Sequence, residues 1–164
     1  MNAILNVYLT AANNGNAEAA FEAGKLMETY KWNPVTYQRQ YKKSAYADYP
    51  LAQRVLGILG INGILLKDES TAGNLVYTDL KDGVEWLRKA AENNDMPARF
   101  ILGKCYQLGI GVGKDDNISS ILLSNAVTEI SEDEVCNYSL MADMIAKRIE
   151  NENREAVVKW ALAG

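Results

Sequence analysis

Gly109, Gly111, Gly113 and Lys114 form the segment GIGVGK. Glycine-rich turns that end in lysine can offer backbone N–H groups and a cation to a phosphate. A Walker loop, however, needs glycine at 108 and serine or threonine at 115, where Leu108 and Asp115 stand, and no strand precedes the turn. The segment is therefore expected to be a structural loop between two helices. Glu129, Glu132, Asp133 and Glu134 are a second candidate, because hard cations take several oxygen ligands. Their spacing fits no calcium loop. They read instead as the acidic start of a helix, favoured by the helix dipole, or as a patch for a partner. Cys105 and Cys136 lie 31 residues apart without a CxxC motif, and both are expected to be reduced, mostly buried thiols. The chain has no histidine, so it cannot build a Ser-His-Asp triad, a Cys-His dyad or an imidazole metal site. No catalytic, cofactor-binding or metal-ligating residue is assigned, and the chain is expected not to be an enzyme.

Its 164 residues suffice for one domain with an ordinary core. Apolar residues make up 48% and charged residues 23%, with three prolines, which excludes a disordered or linker-rich chain. No stretch approaches the length of a membrane span and the N-terminus lacks the pattern of a signal peptide, so the expected location is the cytoplasm. The net charge is −4 and unevenly spread. Residues 115–164 carry ten acids against four bases; residues 31–54 run the other way, with Lys31, Arg39, Lys42, Lys43 and Arg54 against Asp48. An acidic chain repels phosphate backbones, so nucleic acid is excluded as the expected partner, and a basic protein fits better.

The elements that must position these residues follow from an internal repeat. Ala11, Ala12, Asn14, Ala19, Phe21, Gly24 and Lys25 meet Ala90, Ala91, Asn93, Ala98, Phe100, Gly103 and Lys104 at a constant offset of 79. SAYADYPLAQRVLGILG (44–60) fits between them at offsets of 33 and 46, and Asp79, Trp86 and Ala90 fall on Asp115, Leu122 and Ala126 at an offset of 36. The larger spacing contains an insertion around Leu65 to Thr78, which reads either as a binding element, with Leu75 and Tyr77 as its anchors for a partner, or as a tolerated surface loop. Each unit reads as two helices around a polar turn. The helices are expected at 2–14, 16–30, 35–47, 50–63, 79–94, 96–108, 116–129, 132–148 and 152–162, with Asp79 and Asp115 as N-caps. Ala at 19, 52 and 98 and Gly at 24, 57 and 103 recur on one register. A helical glycine costs ~1 kcal/mol relative to alanine, so its recurrence points to a close approach of neighbouring helices.

Leu102, Gly103, Tyr106, Gly109, Gly111, Val112 and Asp115, together with Asp79, Gly83, Trp86, Ala90, Ala91 and Glu92, make a pattern that resembles the Sel-one-like repeat (SLR) family. That family is related to the tetratricopeptide repeats. The resemblance is strong over 79–115, fair over 39–63, weaker over 7–27 and poor after 126. It implies an all-α fold, an α-α solenoid of about four helix-turn-helix repeats with a terminal capping helix. The units would span approximately 1–30, 31–65, 79–110 and 115–149 of a single domain, with a final helix over 152–162. The apolar cluster Val157, Val158, Trp160, Ala161 and Leu162 is expected to cap the core rather than dimerise.

The resemblance also implies function. Members of this family are adaptors and scaffolds, short bacterial members stand beside toxin genes as immunity proteins, and some cysteine-rich secreted members are linked to β-lactam hydrolysis. The regular paired cysteines of that last group are missing here. The expected role is non-enzymatic protein binding, at best as an immunity protein that sterically neutralises a toxin with a basic domain; the alternative is an adaptor in a larger assembly. The chain is expected to be a monomer when free and to need no cofactor. Aromatics concentrate between 30 and 49 (Tyr30, Trp32, Tyr37, Tyr41, Tyr46 and Tyr49), where they either pack the repeat core, anchor an interface or stack on single-stranded nucleic acid. Trp32, Tyr37, Tyr41, Tyr49 and Tyr77, with Arg99 and the acids Glu129, Glu132, Asp133 and Glu134, are the expected partner-binding residues.

Overall fold

A computed structural model describes residues 2–164, and Met1, where the first repeat unit was expected to begin, lies outside the described residues. Among the described residues eight helices run in chain order: α1 (Asn2–Asn13), α2 (Ala17–Thr29), α3 (Pro34–Tyr46), α4 (Pro50–Ile61), α5 (Leu80–Glu92), α6 (Met96–Leu108), α7 (Asp116–Val127) and α8 (Glu132–Ala163). No strand occurs among the described residues, only two isolated bridges inside the segment between α4 and α5. From α1 to α7 each helix packs on its neighbours in sequence, and α6 carries both α7 and α8. The chain is an α-α solenoid, in which each element from α1 to α7 rests on the next and α8 folds back over α6.

The repeat is written into the backbone as well as the side chains. Gly15, Asp48 and Asn94 all adopt positive φ, and these positions are separated by the same 33 and 46 residues as the aligned sequences. Directly after them, Asn16, Tyr49 and Asp95 donate their backbone N–H groups to Ala11, Ser44 and Ala90 at 3.0, 3.2 and 3.0 Å. Those bonds close the first helix of each pair in the left-handed manner that glycine and asparagine favour. The same residues then cap the second helix. Asn16 and Asp95 accept from the backbone N–H groups of Ala19 and Ala98. Asp79 and Asp115 cap α5 and α7 as their spacing predicts, and Ser131 with Glu134 forms a full capping box at the start of α8. At the far end of the pairs, Lys31 takes the left-handed conformation that Gly63 and Gly109 take in later units, which is how METYKW turns without a glycine.

Small residues let the helices close on one another. A Cβ on Gly24 would stand 2.8 Å from the Tyr41 ring, on Gly57 2.5 Å from Leu87, and on Gly103 2.9 Å from Leu123. The tightest approach lies beside this register: a Cβ on Gly60 would be 2.3 Å from the Cα of Gly83, so α4 and α5 touch backbone to backbone. Around these contacts the core is a series of slabs between successive helices. One holds Phe21, Tyr41, Ala45, Ala52, Leu56 and Leu65; the next holds Ile61, Val84, Leu87, Ile101, Leu102 and Cys105, closed by Ala142 and Ile145 of α8. Each fully buried leucine or isoleucine contributes about 1.5–3 kcal/mol.

Two expectations are corrected at the C-terminal end. The helices expected at 132–148 and 152–162 are one continuous helix, α8. The segment Ile149-Glu150-Asn151-Glu152 holds neither glycine nor proline, asparagine costs a helix less than ~1 kcal/mol, and Arg154 pairs with Glu150 one turn back at 3.2 Å. Residues 150–164 are exposed, with Trp160 at 79% and Leu162 at 83%, so Val157, Val158, Trp160, Ala161 and Leu162 do not cap the core. Capping falls to the first half of the helix, where Tyr138, Met141, Ala142 and Ile145 cover α6 and its neighbours.

The Gly60 to Gly83 contact should tolerate no added atom. Gly60→Ala is expected to cost about 1–3 kcal/mol and to lower the thermal midpoint measured by circular dichroism. Gly113→Ala, with open space around it, should shift stability by less than ~0.5 kcal/mol. Trp160→Ala is likewise expected to leave the midpoint unchanged; a marked drop would restore a capping role to the end of α8.

Candidate protein-binding surface

The segment between α4 and α5 is tied down. Gln38, buried on α3, donates through Nε2 to the carbonyl of Ile64 at 2.9 Å and accepts through Oε1 from the N–H of Leu66 at 2.8 Å. One turn further along α3, Lys42 donates to the carbonyl of Leu66 at 2.6 Å and pairs with Asp68 at 2.7 Å. Leu65 and Leu66 are buried beneath. Within the segment, Lys67 donates to Val76, Thr78 donates to Leu65, and the Ser70 hydroxyl both donates to and accepts from the Val76 backbone. Leu75 and Tyr77, expected to anchor a partner on this insertion, are exposed, while Leu65, Leu66 and Ser70 are buried and hold the segment to the body.

This strap, the outer face of α3 and the outer face of α5 enclose two adjoining clefts of about 450 and 370 Å³. The helical period places Val35, Arg39, Lys42, Lys43 and Tyr46 on one side of α3, and all of them line the first cleft with Leu66, Lys67 and Asp68. Lys42, Tyr46, Leu66, Lys67 and Asp68 are shared with the second cleft, which adds Trp86 and Lys89 from α5 together with the acids Glu69, Asp82 and Glu85. Tyr46 is 67% exposed and meets Trp86 edge to face, centroids 5.2 Å apart; Lys89 Nζ sits 4.6 Å over the Trp86 ring. Among the described residues, Gln40 Oε1 and Thr78 Oγ1 are buried without a hydrogen-bond partner, and both residues line these clefts. An apolar floor with a polar rim suits the anchoring side chain of another protein.

The expected partner-binding residues do not form one patch. Tyr41 is buried in the core, 2% exposed, where its hydroxyl donates to Glu28. Burial, and then Glu28, push its pKa up. Tyr37 and Tyr49 are half-buried and set edge-on to Tyr41 and Phe21 at 6.0 and 5.4 Å. Trp32 and Tyr77 are exposed, but neither lines the clefts. Arg99 lies along α6 and donates to the carbonyl of Ala91 at 3.2 Å. Glu129, Glu132 and Asp133 are exposed at the α7–α8 turn, whereas Glu134 is half-buried in the capping box. Of the residues that do converge, Tyr46 belongs to the aromatic segment singled out in the sequence, whereas Arg39, Lys43, Leu66 and Trp86 were missed as binding residues. The signal for them was the spacing of Arg39, Lys43 and Tyr46 on one helix face.

Other candidate chemistry resolves into structure. Gly109 and Gly111 turn at positive φ, and a Cβ on Gly111 would lie 2.8 Å from the carbonyl oxygen of Leu80, so the glycine loop is packed against α5. Asp95 is buried, ion-paired to Arg54 at 2.9 Å and bound to the N–H of Ala98; burial raises its pKa, while Arg54 and that N–H oppose the rise. Arg54 also reaches the Tyr138 hydroxyl at 3.1 Å, joining α4 to α8. Cys105 is buried and its thiol is pushed up to about 12 by desolvation. Cys136, expected to be mostly buried, is exposed because it stands on the outer side of α8. Among the described residues no three histidine, cysteine, aspartate or glutamate side chains gather as metal ligands would. No helix among the described residues is long and apolar enough to cross a membrane.

No family model and no curated protein matches the chain. Solved structures do. A Sel1 repeat protein from Oxalobacter formigenes superposes with a TM-score of 0.65 at 24% identity, over 82% of this chain and 96% of that one. A protective antigen of uropathogenic Escherichia coli strains, c5321, which displays an SLR fold, superposes with a TM-score of 0.56 at 18% identity. It matches over 94% of this chain, which spans about a third, 35%, of that longer chain. The fold of this chain is that of the SLR proteins.

A thiol-specific disulfide reagent should modify one cysteine per native chain, Cys136, and two after denaturation; two fast-reacting thiols in the native protein would contradict the burial of Cys105. Gln38→Ala should leave Leu66 N–H and the Ile64 carbonyl without their partner, at a cost of about 1–3 kcal/mol. Amide exchange should then accelerate across 64–78 more than in the helices.

Proposed function

We propose that this chain is a non-enzymatic helical-repeat module that binds another protein, with the clefts between α3, the strap and α5 as its docking surface. The single domain would comprise repeat units at about 1–30, 31–65, 79–110 and 115–149. The observation that carries this reading is the apolar lining of the two clefts, exposed Tyr46 and half-buried Trp86 beside buried Leu66, held by Gln38 and Lys42 and rimmed by charge. The SLR fold supports it, since stacked repeats present extended surfaces. A specific complex buries roughly 800 Å² on each partner, and the clefts with the adjoining faces of α3 and α5 provide a place for its centre.

The sharper reading is immunity. A cytoplasmic chain, monomeric when free, would bind a toxin and block its access to substrate without altering it chemically. The acids of the second half, Glu129, Glu132 and Asp133 among them, would draw in a basic domain of the toxin over a distance, while the clefts would hold another part of it at contact range. A β-lactam hydrolase is disfavoured: both cysteines are free, one of them buried.

Affinity capture from the native host with the full chain tests the coarse reading. A single protein should copurify with the wild type and be lost, by tenfold or more in affinity, on Tyr46→Ala. Coexpression with that protein tests the sharp one. If the partner is toxic to the host and the chain restores growth, the role is immunity; a harmless partner within a larger complex makes the chain an adaptor.

A further inference from the structure

We infer that the first cleft receives an acidic segment of the partner, one that carries a single aliphatic or aromatic side chain onto Tyr46 and Leu66; this rests on the reading of the clefts as a protein-binding surface. The charge around that cleft is mainly positive. Arg39, Lys42, Lys43 and Lys67 line that cleft against one acid, Asp68, which is already paired with Lys42 at 2.7 Å. Arg39, Lys43 and Lys67 have no carboxylate within ion-pair distance among the described residues, although Lys43 donates to Asn13 at 2.8 Å. Three cations held around one hollow, in a chain of net charge −4, repel one another and gain when an anion enters. The second cleft breaks the pattern with Glu69, Asp82 and Glu85, so an acidic segment is confined to the α3 side and meets Tyr46 at the junction.

The arrangement distinguishes an acidic peptide from a nucleic acid, the other polyanion that aromatics and lysines can hold. Bases need open ring faces to stack on. Here Lys89 covers a face of Trp86, and the edge-to-face pair commits Tyr46 and Trp86 to each other. What the junction leaves open is a crevice for one side chain.

The test uses the full chain with Trp32→Phe and Trp160→Phe, which leaves Trp86 as the only tryptophan. It is titrated with a synthetic peptide of about ten residues, glutamates and aspartates around one central leucine, while Trp86 emission is followed. A saturable shift is expected, weakened about tenfold or more when Arg39→Glu and Lys43→Glu are combined, and weakened again by salt. The melting curve of the charge-reversed protein, matching that of its parent, shows that the loss is not unfolding. Equal binding of a peptide with lysines in place of the acids, stronger binding of a single-stranded oligonucleotide, or no response to any probe overturns the inference. Loss of the captured partner on Tyr46→Ala is read separately: if that loss persists while the acidic peptide fails, the docking surface stands and only the sign assigned to its occupant is wrong.

Discussion

The backbone contact between Gly60 of α4 and Gly83 of α5 sets the geometry on which the rest of the molecule depends. Two helices that meet without intervening side chains come closer than the usual 8–10 Å between axes. The residues flanking the contact, Leu87 over Gly57 and Leu65 beside Gly60, are then pressed into the gaps on either side. Because α4 and α5 belong to successive pairs, this one approach fixes how the first half of the array sits on the second. It also fixes the distance from α3, which α4 carries, to α5. The span of the clefts, and the placing of Tyr46 against Trp86, are consequences of it.

The strap solves a problem that the insertion creates. Elsewhere the second helix of one pair leads to the first of the next through a short turn, as in KWN or GIGVGKD. Between α4 and α5 the connection runs to 18 residues, and a chain of that length left loose would close over the clefts or drift from them. Gln38 prevents this by presenting both halves of its amide to the strap, one as donor and one as acceptor, as a neighbouring strand would. Its burial is affordable only because both halves are satisfied.

The fold was legible in the sequence because the features that define it are local and recur. Glycine at 24, 57 and 103, alanine at 19, 52 and 98, and aspartates at cap positions are each read within a few residues, and three aligned copies separate them from coincidence. The end of α8 was misread for a related reason. A cluster of Asn and Glu looks like a boundary when it follows a series of helices separated by polar turns, yet nothing in Ile149-Glu150-Asn151-Glu152 breaks a helix. The surface was the least legible part. Tyr41 and Tyr46 lie five residues apart in the same aromatic segment, yet one is core and the other is 67% exposed. Their roles are decided by Gly24, which makes room for the Tyr41 ring, and by Trp86, 40 residues further along, which receives Tyr46. Tertiary neighbours of that kind leave no trace in local spacing.

The double tether of Gln38 also determines what kind of event recognition is. A surface whose flexible part is already fastened loses little freedom when something settles on it, so the entropic cost of complex formation falls on the incoming molecule. Selectivity then comes from shape and charge tested against a fixed mould, and a poorly matched visitor finds no loop willing to rearrange around it.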